Sequence, residues 1–331
     1  MNKQNKKTMR DVGERKFLQE IAHLVDSPIL DFNDDASAIL ISENTVLVIN
    51  ADMLVKQTDV LPGMTYRQLG SKAISMSVSD IVAKGVEPIG CLTSLAIPAD
   101  VEVESSKEII RGIKDQCSEY NIKFLGGDLN QGNDIIIDAI SFGTCQKKSL
   151  IPRKGAKKGD NIYVTGYFGL TYLGFMNTIE SKILPKEIES LAVDSVYNPK
   201  AKIQYLSLLQ NNNVKICMDS SDGLIVTLTD LSILNKLGIE VTDVPIHPKL
   251  LKYLQEENLN PLDLVFGGGE EFELVFSISP EDENLLIKEA EERNLFLLKI
   301  GKFTDQFTDI RVTQKEYQQL NLPRNGYEHF K

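Results

Sequence analysis

Strand-like and helix-like segments mix along the sequence without a regular βαβ alternation, which predicts an α+β fold. Short apolar segments that end in polar turns indicate strands, and longer segments with apolar residues every three or four positions indicate helices. With 331 residues, the chain is long enough for two domains of ordinary size. A basic segment with two glycines and a proline, residues 149–160, is the best candidate boundary, so we predict domains at 1–148 and 149–331.

The first half contains both kinds of element. We predict helices at residues 12–25, 65–82 and 103–120 and strands at 38–41, 45–49, 92–97, 122–125 and 135–142. The second helix has the clearest signals, because Thr65 and Gln68 form a capping box at its start and Gly85 is placed to end it. Its apolar stripe runs through Leu69 and Met76.

The next member of that stripe is Asp80. A carboxylate on the core-facing side of a helix is costly unless it is paired, hydrogen-bonded or bound to a metal. Asp80 is therefore expected either to accept hydrogen bonds from nearby backbone N–H groups or to bind a cation together with other acidic side chains.

The second half begins with a strand at 161–165, a turn at 166–169 and a helix that ends near residue 178. The other predicted elements are strands at 216–218, 240–244, 272–278 and 296–300 and helices at 224–234, 248–257 and 281–293. Pro199 is placed as the first residue of a further helix. A glycine-rich acidic loop at 266–271 precedes the third of these strands.

The most informative segment is the strand, turn and helix between residues 215 and 237. The strand ends in Asp219, and Ser220, Ser221, Asp222 and Gly223 precede the helix. One of these side chains could cap the helix by accepting its unpaired N–H groups. Two aspartates flanking two serines exceed what a cap requires, so this turn is the first candidate for a functional site.

Composition limits the possible functions. The net charge of −11 argues against a nucleic-acid surface, and no apolar segment approaches the ~20 residues of a membrane span. The four cysteines are scattered without a C-x-x-C pair, so we expect reduced thiols, a cytoplasmic location and no zinc site. Because the three histidines are also isolated, any metal site is expected to use oxygen ligands.

Several acidic residues share one position in the predicted structure, a strand end or a tight turn. They are Asp34, Asp35, Asp52, Asp128, Asp219 and Asp222. Carboxylates gathered at one edge of a sheet repel each other and raise each other's pKa, so a stable ionised cluster implies bound divalent cations such as Mg²⁺. The sequence has no P-loop, protein-kinase or G-x-S-x-G motif, so in an ATP-using enzyme the metals must hold the phosphates.

Nine short stretches carry a family resemblance. They are residues 34–36, 52–55, 79–85, 126–128, 153–160, 165–169, 219–224, 268–274 and 326–330. In this order they resemble thiamine-monophosphate kinase, within the superfamily that includes aminoimidazole ribonucleotide synthetase. The resemblance implies two α/β domains, with the N-terminal domains pairing in a homodimer through a shared β-barrel.

The resemblance also implies an activity and site residues. The activity is ATP-dependent conversion of thiamine monophosphate to thiamine diphosphate by direct in-line transfer, with several Mg²⁺ ions. The implied metal ligands include Asp35, and Asp34 is added because it belongs to the same turn. The full set is Asp34, Asp35, Asn50, Ala51, Asp52, Asp80, Asp128, Asp219 and Asp222. The nucleotide contacts are Gly127, Asp128, Arg153 and Ser221, and the substrate contacts are Asp59, Glu270 and Tyr327. Asp128, Asp219 and Asp222 are the catalytic candidates.

The chain departs from the family pattern at three positions. Asp59 stands where many members have histidine, Ala51 replaces a common threonine, and Leu129 follows Gly-Gly-Asp in place of threonine. Two alternatives stay open, another ATP-using enzyme of the superfamily and a non-catalytic nucleotide or metal sensor. A hydrogenase-maturation dehydratase would need a C-terminal cysteine, and a selenophosphate synthetase would need a reactive residue near the N-terminus.

Overall fold

The structure is a computed structural model that describes residues 7–27, 29–323 and 330. The helices are α1 Met9–Val12, α2 Glu14–Ile21, α3 Lys56–Asp59, α4 Tyr66–Ala83, α5 Val103–Glu119, α6 Leu170–Thr178, α7 Lys186–Tyr197, α8 Leu206–Asn211, α9 Leu224–Asn235, α10 Leu250–Glu257, α11 Pro261–Phe266 and α12 Glu283–Glu292. Short 3₁₀ turns lie at Ala22–Leu24, Lys147–Ser149 and Ile203–Tyr205.

The strands are β1 Ser37–Leu40, β2 Thr45–Val55, β3 Pro88–Ile97, β4 Lys123–Gln131, β5 Ile136–Gln146, β6 Asn161–Val164, β7 Ile216–Asp219, β8 Gly238–Val241, β9 Leu274–Ile278, β10 Leu298–Thr304 and β11 Ile310–Val312. They form two mixed sheets, ordered β1-β2-β5-β3-β4 and β11-β8-β10-β6-β9-β7. Each sheet has one parallel pair among antiparallel ones, β3 with β4 and β8 with β11. The predicted α+β class is confirmed.

The first sheet is open and has two different faces. Alternate residues of β2, such as Val48 and Leu54, are buried against α4, whereas Ala51 and Met53 are exposed on the outer face. Helix α5 packs against α4 on the inner side. The sheet therefore has an apolar inner face covered by helices and an outer face that no described segment covers.

Helix α4 connects the two halves. Its apolar residues, including Leu69 and Val78, share one buried cluster with strand residues of the first sheet and with Cys217 and Phe276 of the second sheet. The capping box at Thr65 is confirmed, since its hydroxyl accepts the Gln68 N–H. Because α4 packs against both sheets, side chains on its different faces are positioned relative to both halves of the chain.

Several predicted boundaries are wrong in an informative way. The strands predicted to end before residue 50 and at residue 125 continue to Val55 and Gln131, so Asp52 and Asp128 lie within strands rather than at strand ends. Polar residues interrupt the apolar pattern there, but strand pairing with neighbours satisfies the backbone. A strand can thus carry functional polar residues without ending.

The remaining differences concern helices and one edge strand. The N-terminal helix is divided at Gly13, which has a positive φ of 77°. No helix begins at Pro199; instead α7 ends at Tyr197, just before it. Helices α7 and α11 and strand β11 were not predicted, since the first two have polar or short apolar patterns and β11 has three residues. The proposed domain boundary at 148/149 falls between the sheets and stays a prediction.

Within the described residues, no helix is both long and apolar enough to cross a membrane.

Candidate active site

A cavity of about 620 Å³ lies between the two halves of the chain. Its walls come from β2, α4, the turn after β7 and the loop before β9. The lining residues that belong to the predicted site are Asn50, Ala51, Asp52, Asp59, Asp80, Asp219, Ser221, Asp222 and Glu270. This volume is in the range of small-molecule sites in proteins. The cavity therefore gathers most of the predicted site residues, from five separate parts of the sequence.

The turn after β7 is held in place by the loop that precedes β9. The Glu270 N–H donates to the Ser221 carbonyl over 2.6 Å, and the Phe272 N–H donates to the Ser220 carbonyl over 2.9 Å. A Cβ on Gly223 would lie 2.0 Å from the Gly268 carbonyl oxygen, so the two loops can approach only because this residue is glycine. Helix α9 begins directly after Gly223, which has no side chain to cap it.

Three carboxylates converge at one end of the cavity. One oxygen from each of Asp35, Asp80 and Asp219 lies within 4.8 Å of the others. Asp219 is buried, and its Oδ2 accepts the Ser79 hydroxyl over 2.6 Å. Asp80 accepts from the Asn50 amide over 2.8 Å, which shows that a side chain rather than backbone N–H groups holds its carboxylate.

The electrostatics of this cluster are those of crowded carboxylates. Burial, followed by repulsion from Asp219, raises the pKa of Asp80 well above its ordinary value. Burial and repulsion from Asp35 raise the pKa of Asp219 to about 7. Burial also raises the pKa of Asp52 to about 6. These shifts mean that ionising the whole cluster costs free energy in the metal-free protein, and a bound cation would remove that cost.

Two basic residues, neither of which lines the cavity, offset part of this charge. The buried Lys84 ammonium lies 2.5 Å from carboxylate oxygens of both Asp34 and Asp35 and donates to the Cys217 carbonyl over 2.9 Å. The Arg153 guanidinium pairs with Asp35. Although burial alone would raise the pKa of Asp35, Arg153 and Lys84 lower it below its ordinary value.

Asp34 is fully engaged within the protein. Its Oδ1 accepts from Lys84 and from the Asp35 N–H, and its Oδ2 accepts the Arg153 N–H over 3.0 Å. The Arg153 side chain uses three of its five N–H donors, on Asp35 and on the Asn33 carbonyl, which leaves two for a ligand. Asp34 thus contacts cations of the protein itself, whereas Arg153 keeps donors available.

The donor set fits a hard divalent cation. Asp219 Oδ1 and Asn50 Oδ1 are buried and, within the described residues, have no hydrogen-bond partner. Both atoms are oxygen acceptors in residues that line the cavity, beside Asp80 and Asp52. Buried acceptors without partners are costly, and Mg²⁺ binds carboxylate and carbonyl oxygens. The residues that would hold such ions are therefore Asp35, Asp80 and Asp219, whose carboxylate oxygens cluster, and Asn50, Asp52 and Asp222, which line the cavity.

A second acidic pair, Asp59 and Glu270, lines the cavity beside a buried lysine. Lys72 donates to the Asp59 carbonyl over 2.7 Å, and its Nζ lies 2.6 Å from a Glu270 carboxylate oxygen. The Asp59 carboxylate accepts the Val55 N–H over 2.6 Å. These hydrogen bonds thus hold Asp59 and Glu270, the two predicted substrate-binding residues, at the cavity wall.

The predicted nucleotide contacts Gly127 and Asp128 lie away from the cavity in this chain. Asp128 pairs with Ser94 on the outer face of the first sheet, and its strand β4 is an edge strand. Asp52 points to the inner face, and three strand spacings, about 14 Å, separate its strand β2 from β4. A single chain therefore does not bring Gly127 and Asp128 to the carboxylate cluster. Tyr327 lies outside the described residues.

The structure also reveals residues that had no predicted role. Lys72 in α4 and Lys84 just after α4 are fully buried, and Glu14, Phe175 and Ile179 line the cavity. The signal for Lys72 was present, because a lone lysine in the buried stripe of an amphipathic helix needs a partner for the same reason as Asp80. Phe175 and Ile179 had no such signal.

Comparison with known proteins identifies the class. Residues 33–145 match the family described as AIR synthase related protein, N-terminal domain. The fold is also that of AaThiL complexed with AMPPCP and TMP, with a TM-score of 0.83 at 24% identity, covering 98% of this chain and 99% of that one. The N-terminal half of the chain thus matches the AIR synthase-related domain, and the whole chain has the fold of AaThiL.

Two curated relatives narrow this class. A thiamine-monophosphate kinase of Nitrosopumilus maritimus is 30% identical over 299 residues, 90% of this chain and 93% of the relative. One of Pyrococcus abyssi is 35% identical over 253 residues, 75% of this chain and 77% of the relative. The chain belongs to the thiamine-monophosphate kinase family, as its sequence motifs predict.

Proposed function

We propose that this protein transfers the γ-phosphoryl group of ATP to thiamine monophosphate, forming thiamine diphosphate and ADP, with several Mg²⁺ ions. The observation that carries the proposal is that Asp80 and Asp219, which cluster with the buried Asp35 carboxylate, line one cavity together with the acidic pair Asp59 and Glu270. The first group suits metal-bound phosphates and the second suits a cationic ring. AaThiL, which has the same fold, was solved with AMPPCP and TMP, which supports this choice of ligands.

The reaction needs little covalent chemistry from the protein. A phosphate oxygen of the acceptor attacks the γ-phosphorus, the bond to the β–γ bridging oxygen breaks, and ADP leaves with the electron pair. Bound Mg²⁺ supplies charge neutralisation between the two anionic phosphates. Asp80, Asp219 and Asp222 hold that charge in place, and Arg153 can direct its two remaining N–H donors to phosphate oxygens.

The test is incubation of the purified protein with ATP, Mg²⁺ and thiamine monophosphate, with thiamine diphosphate and ADP quantified by chromatography. We expect stoichiometric formation of both products, and no product with unphosphorylated thiamine as acceptor. ADP without thiamine diphosphate would favour another ATP-using reaction of the superfamily. Binding of both ligands without turnover would favour the sensor alternative, and either result would overturn the proposal.

We further propose that the protein acts as a homodimer in the cytoplasm, with the outer faces of two five-stranded sheets packed together as a β-barrel. Met53, Leu92 and Leu125 are exposed on that face by 52%, 37% and 56%, next to the half-buried Ile140 and Phe142. A contiguous apolar sheet face of this kind marks an interaction surface. Pairing there would place Gly127 and Asp128 at the subunit interface, where they could serve the partner's nucleotide site.

A charge on this face is expected to separate the subunits. Leu92→Glu should sediment as a monomer and show a raised KM for ATP, because a buried unpaired carboxylate is costly in the interface. The matched control is Ile183→Glu, which changes a residue that is 92% exposed before α7 and should leave the dimer intact. A wild-type protein that sediments as a monomer at micromolar concentration would contradict the dimer.

A further inference from the structure

Lys72 is a buried cation behind the wall of the cavity. Its side chain has no exposed surface, yet its ammonium contacts both Glu270 carboxylate oxygens, over 2.6 and 2.8 Å, and the Asp59 carbonyl, over 2.7 Å. A buried ammonium is tolerated only when its hydrogen-bonding capacity is satisfied, and these three contacts use all three N–H groups. Lys72 therefore has a defined position and joins two segments that are 211 residues apart, residues 59 and 270.

Glu270 occupies a conformation that requires support. It is a non-glycine residue with φ of 60°, held by the hydrogen bond from its N–H to the Ser221 carbonyl. Its side chain is 21% exposed, whereas that of Lys72 is fully buried, so the carboxylate faces the lysine on one side and the cavity on the other. Burial raises the pKa of Glu270, and the charge of Lys72 opposes that change.

Helix α4 fixes the distance between this pair and the carboxylate cluster. Lys72, Met76 and Asp80 follow one another at intervals of four residues, and Met76 and Asp80 line the cavity. Eight residues of helix correspond to about 12 Å, so Lys72 and Asp80 support opposite ends of one site. The rigid helix thus couples the position of Glu270 to that of the metal ligands.

The charges at the Lys72 end indicate what kind of molecule it accepts. Asp59 and Glu270 contribute two negative charges and Lys72 one positive charge, which leaves one net negative charge. None of the residues described as lining the cavity is lysine or arginine. A ligand group with a single fixed positive charge and an aromatic body would match this end, with Met76 and Phe175 as its apolar contacts.

We propose that Lys72 is a positioning and specificity residue that holds the Glu270 carboxylate directed into the cavity, where it recognises the positive ring of the acceptor. This inference rests on the proposed function, because it identifies that ring with the thiazolium of thiamine monophosphate. Lys72 acts through Glu270 and does not contact the acceptor itself. Its effect is therefore on acceptor affinity and on selectivity for charge, rather than on phosphoryl transfer.

The test compares thiamine monophosphate with its neutral 3-deaza analogue, in which carbon replaces the thiazolium nitrogen. Calorimetry with the wild-type protein is expected to show tighter binding of the charged compound. In Lys72→Met, we expect this preference to fall about tenfold, as for loss of one charge-assisted contact. The KM for thiamine monophosphate should rise by a similar factor, with kcat and the KM for ATP within about twofold of wild type.

Two further variants separate positioning from general destabilisation. Lys200→Met removes a lysine from the exposed ion pair with Glu119 and should leave the preference unchanged. Lys72→Met combined with Glu270→Gln removes both buried charges and should show the same loss of preference as Glu270→Gln alone. This double variant also keeps the test decisive if Lys72→Met does not fold.

Three outcomes would overturn the inference. They are an unchanged charge preference in folded Lys72→Met, additive losses in the double variant, and a loss confined to kcat. Failure of the proposed function is distinct from all three, because the wild-type protein itself would then form no thiamine diphosphate from ATP and thiamine monophosphate.

Discussion

Asp219→Asn is expected to lower kcat at least about 100-fold and to leave the fold intact. The substitution keeps the size of the side chain and an oxygen that can accept the Ser79 hydroxyl, a 2.6 Å contact in the wild type. It removes the negative charge of a buried carboxylate that clusters with Asp35 and Asp80 and whose Oδ1 has no hydrogen-bond partner within the described residues. Metal-ion stabilisation of phosphoryl transfer amounts to several kcal/mol, and each 1.4 kcal/mol corresponds to tenfold in rate.

The same substitution is expected to maintain or increase stability in the metal-free protein. Because burial and repulsion from Asp35 raise the pKa of Asp219 to about 7, its ionised form costs free energy in the folded state, and a neutral amide does not carry that cost. Activity and stability therefore change in opposite directions. Steady-state kinetics and thermal unfolding in EDTA measure the two effects separately.

A suitable control is Asp305→Asn, which makes the same chemical change in an exposed ion pair with Lys158. Its kcat should stay within about twofold of wild type, since exposed ion pairs contribute little. Near-normal turnover in a folded Asp219→Asn protein would exclude a metal-binding role for this residue, whatever the outcome with the control.

The turn at residues 219–223 was predictable because its information is local. An apolar strand, an acidic turn and an amphipathic helix follow directly in the sequence, and each boundary lies within one or two residues of its observed position. The signal for Asp80 was also local, because its position in the apolar stripe of α4 indicated a carboxylate on the core-facing side of the helix. Convergence with Asp35 was inferred from the repeated aspartates at strand ends and turns, and the folded chain brings Asp35, Asp80 and Asp219 together.

The partners of these carboxylates were not predictable in the same way. Lys84 contacts Asp34 across 50 residues of sequence, and Arg153 contacts Asp35 across 118. Such pairings depend on how α4 packs against both sheets, which no local pattern specifies. In the structure both Asp34 oxygens accept hydrogen bonds from the protein, and its role as a metal ligand stays a prediction.

Asp128 illustrates a limit of a different kind. Its Gly-Gly-Asp motif was recognisable, but the inference that it ends a strand and joins the cluster assumed a single chain. The strand continues, and β4 carries Asp128 on the outer face at the sheet edge. If its predicted role holds, the proposed homodimer would supply the explanation, and neither local pattern nor the fold of one chain contains that information.

Removal of divalent ions is expected to weaken ATP binding at least about 100-fold. The described cavity is lined by carboxylates and by no lysine or arginine, so free ATP would meet like charge. Lys84 cannot compensate, because its three N–H groups already contact Asp34, Asp35 and the Cys217 carbonyl. Arg153 retains two donors, but Asp35 offsets its charge. Only a bound cation can bridge these carboxylates to phosphate oxygens.

Titration calorimetry with ATP in EDTA and in excess Mg²⁺ would measure this effect, and adding Mg²⁺ back to the EDTA-treated protein should restore the affinity. Circular dichroism in EDTA is the necessary control, and we expect an unchanged spectrum because Lys84 and Arg153 keep Asp34 and Asp35 paired without any metal. Equal ATP affinity with and without divalent ions would mean that protein donors alone hold the phosphates. In that case the carboxylate cluster would have to serve a purpose other than nucleotide binding.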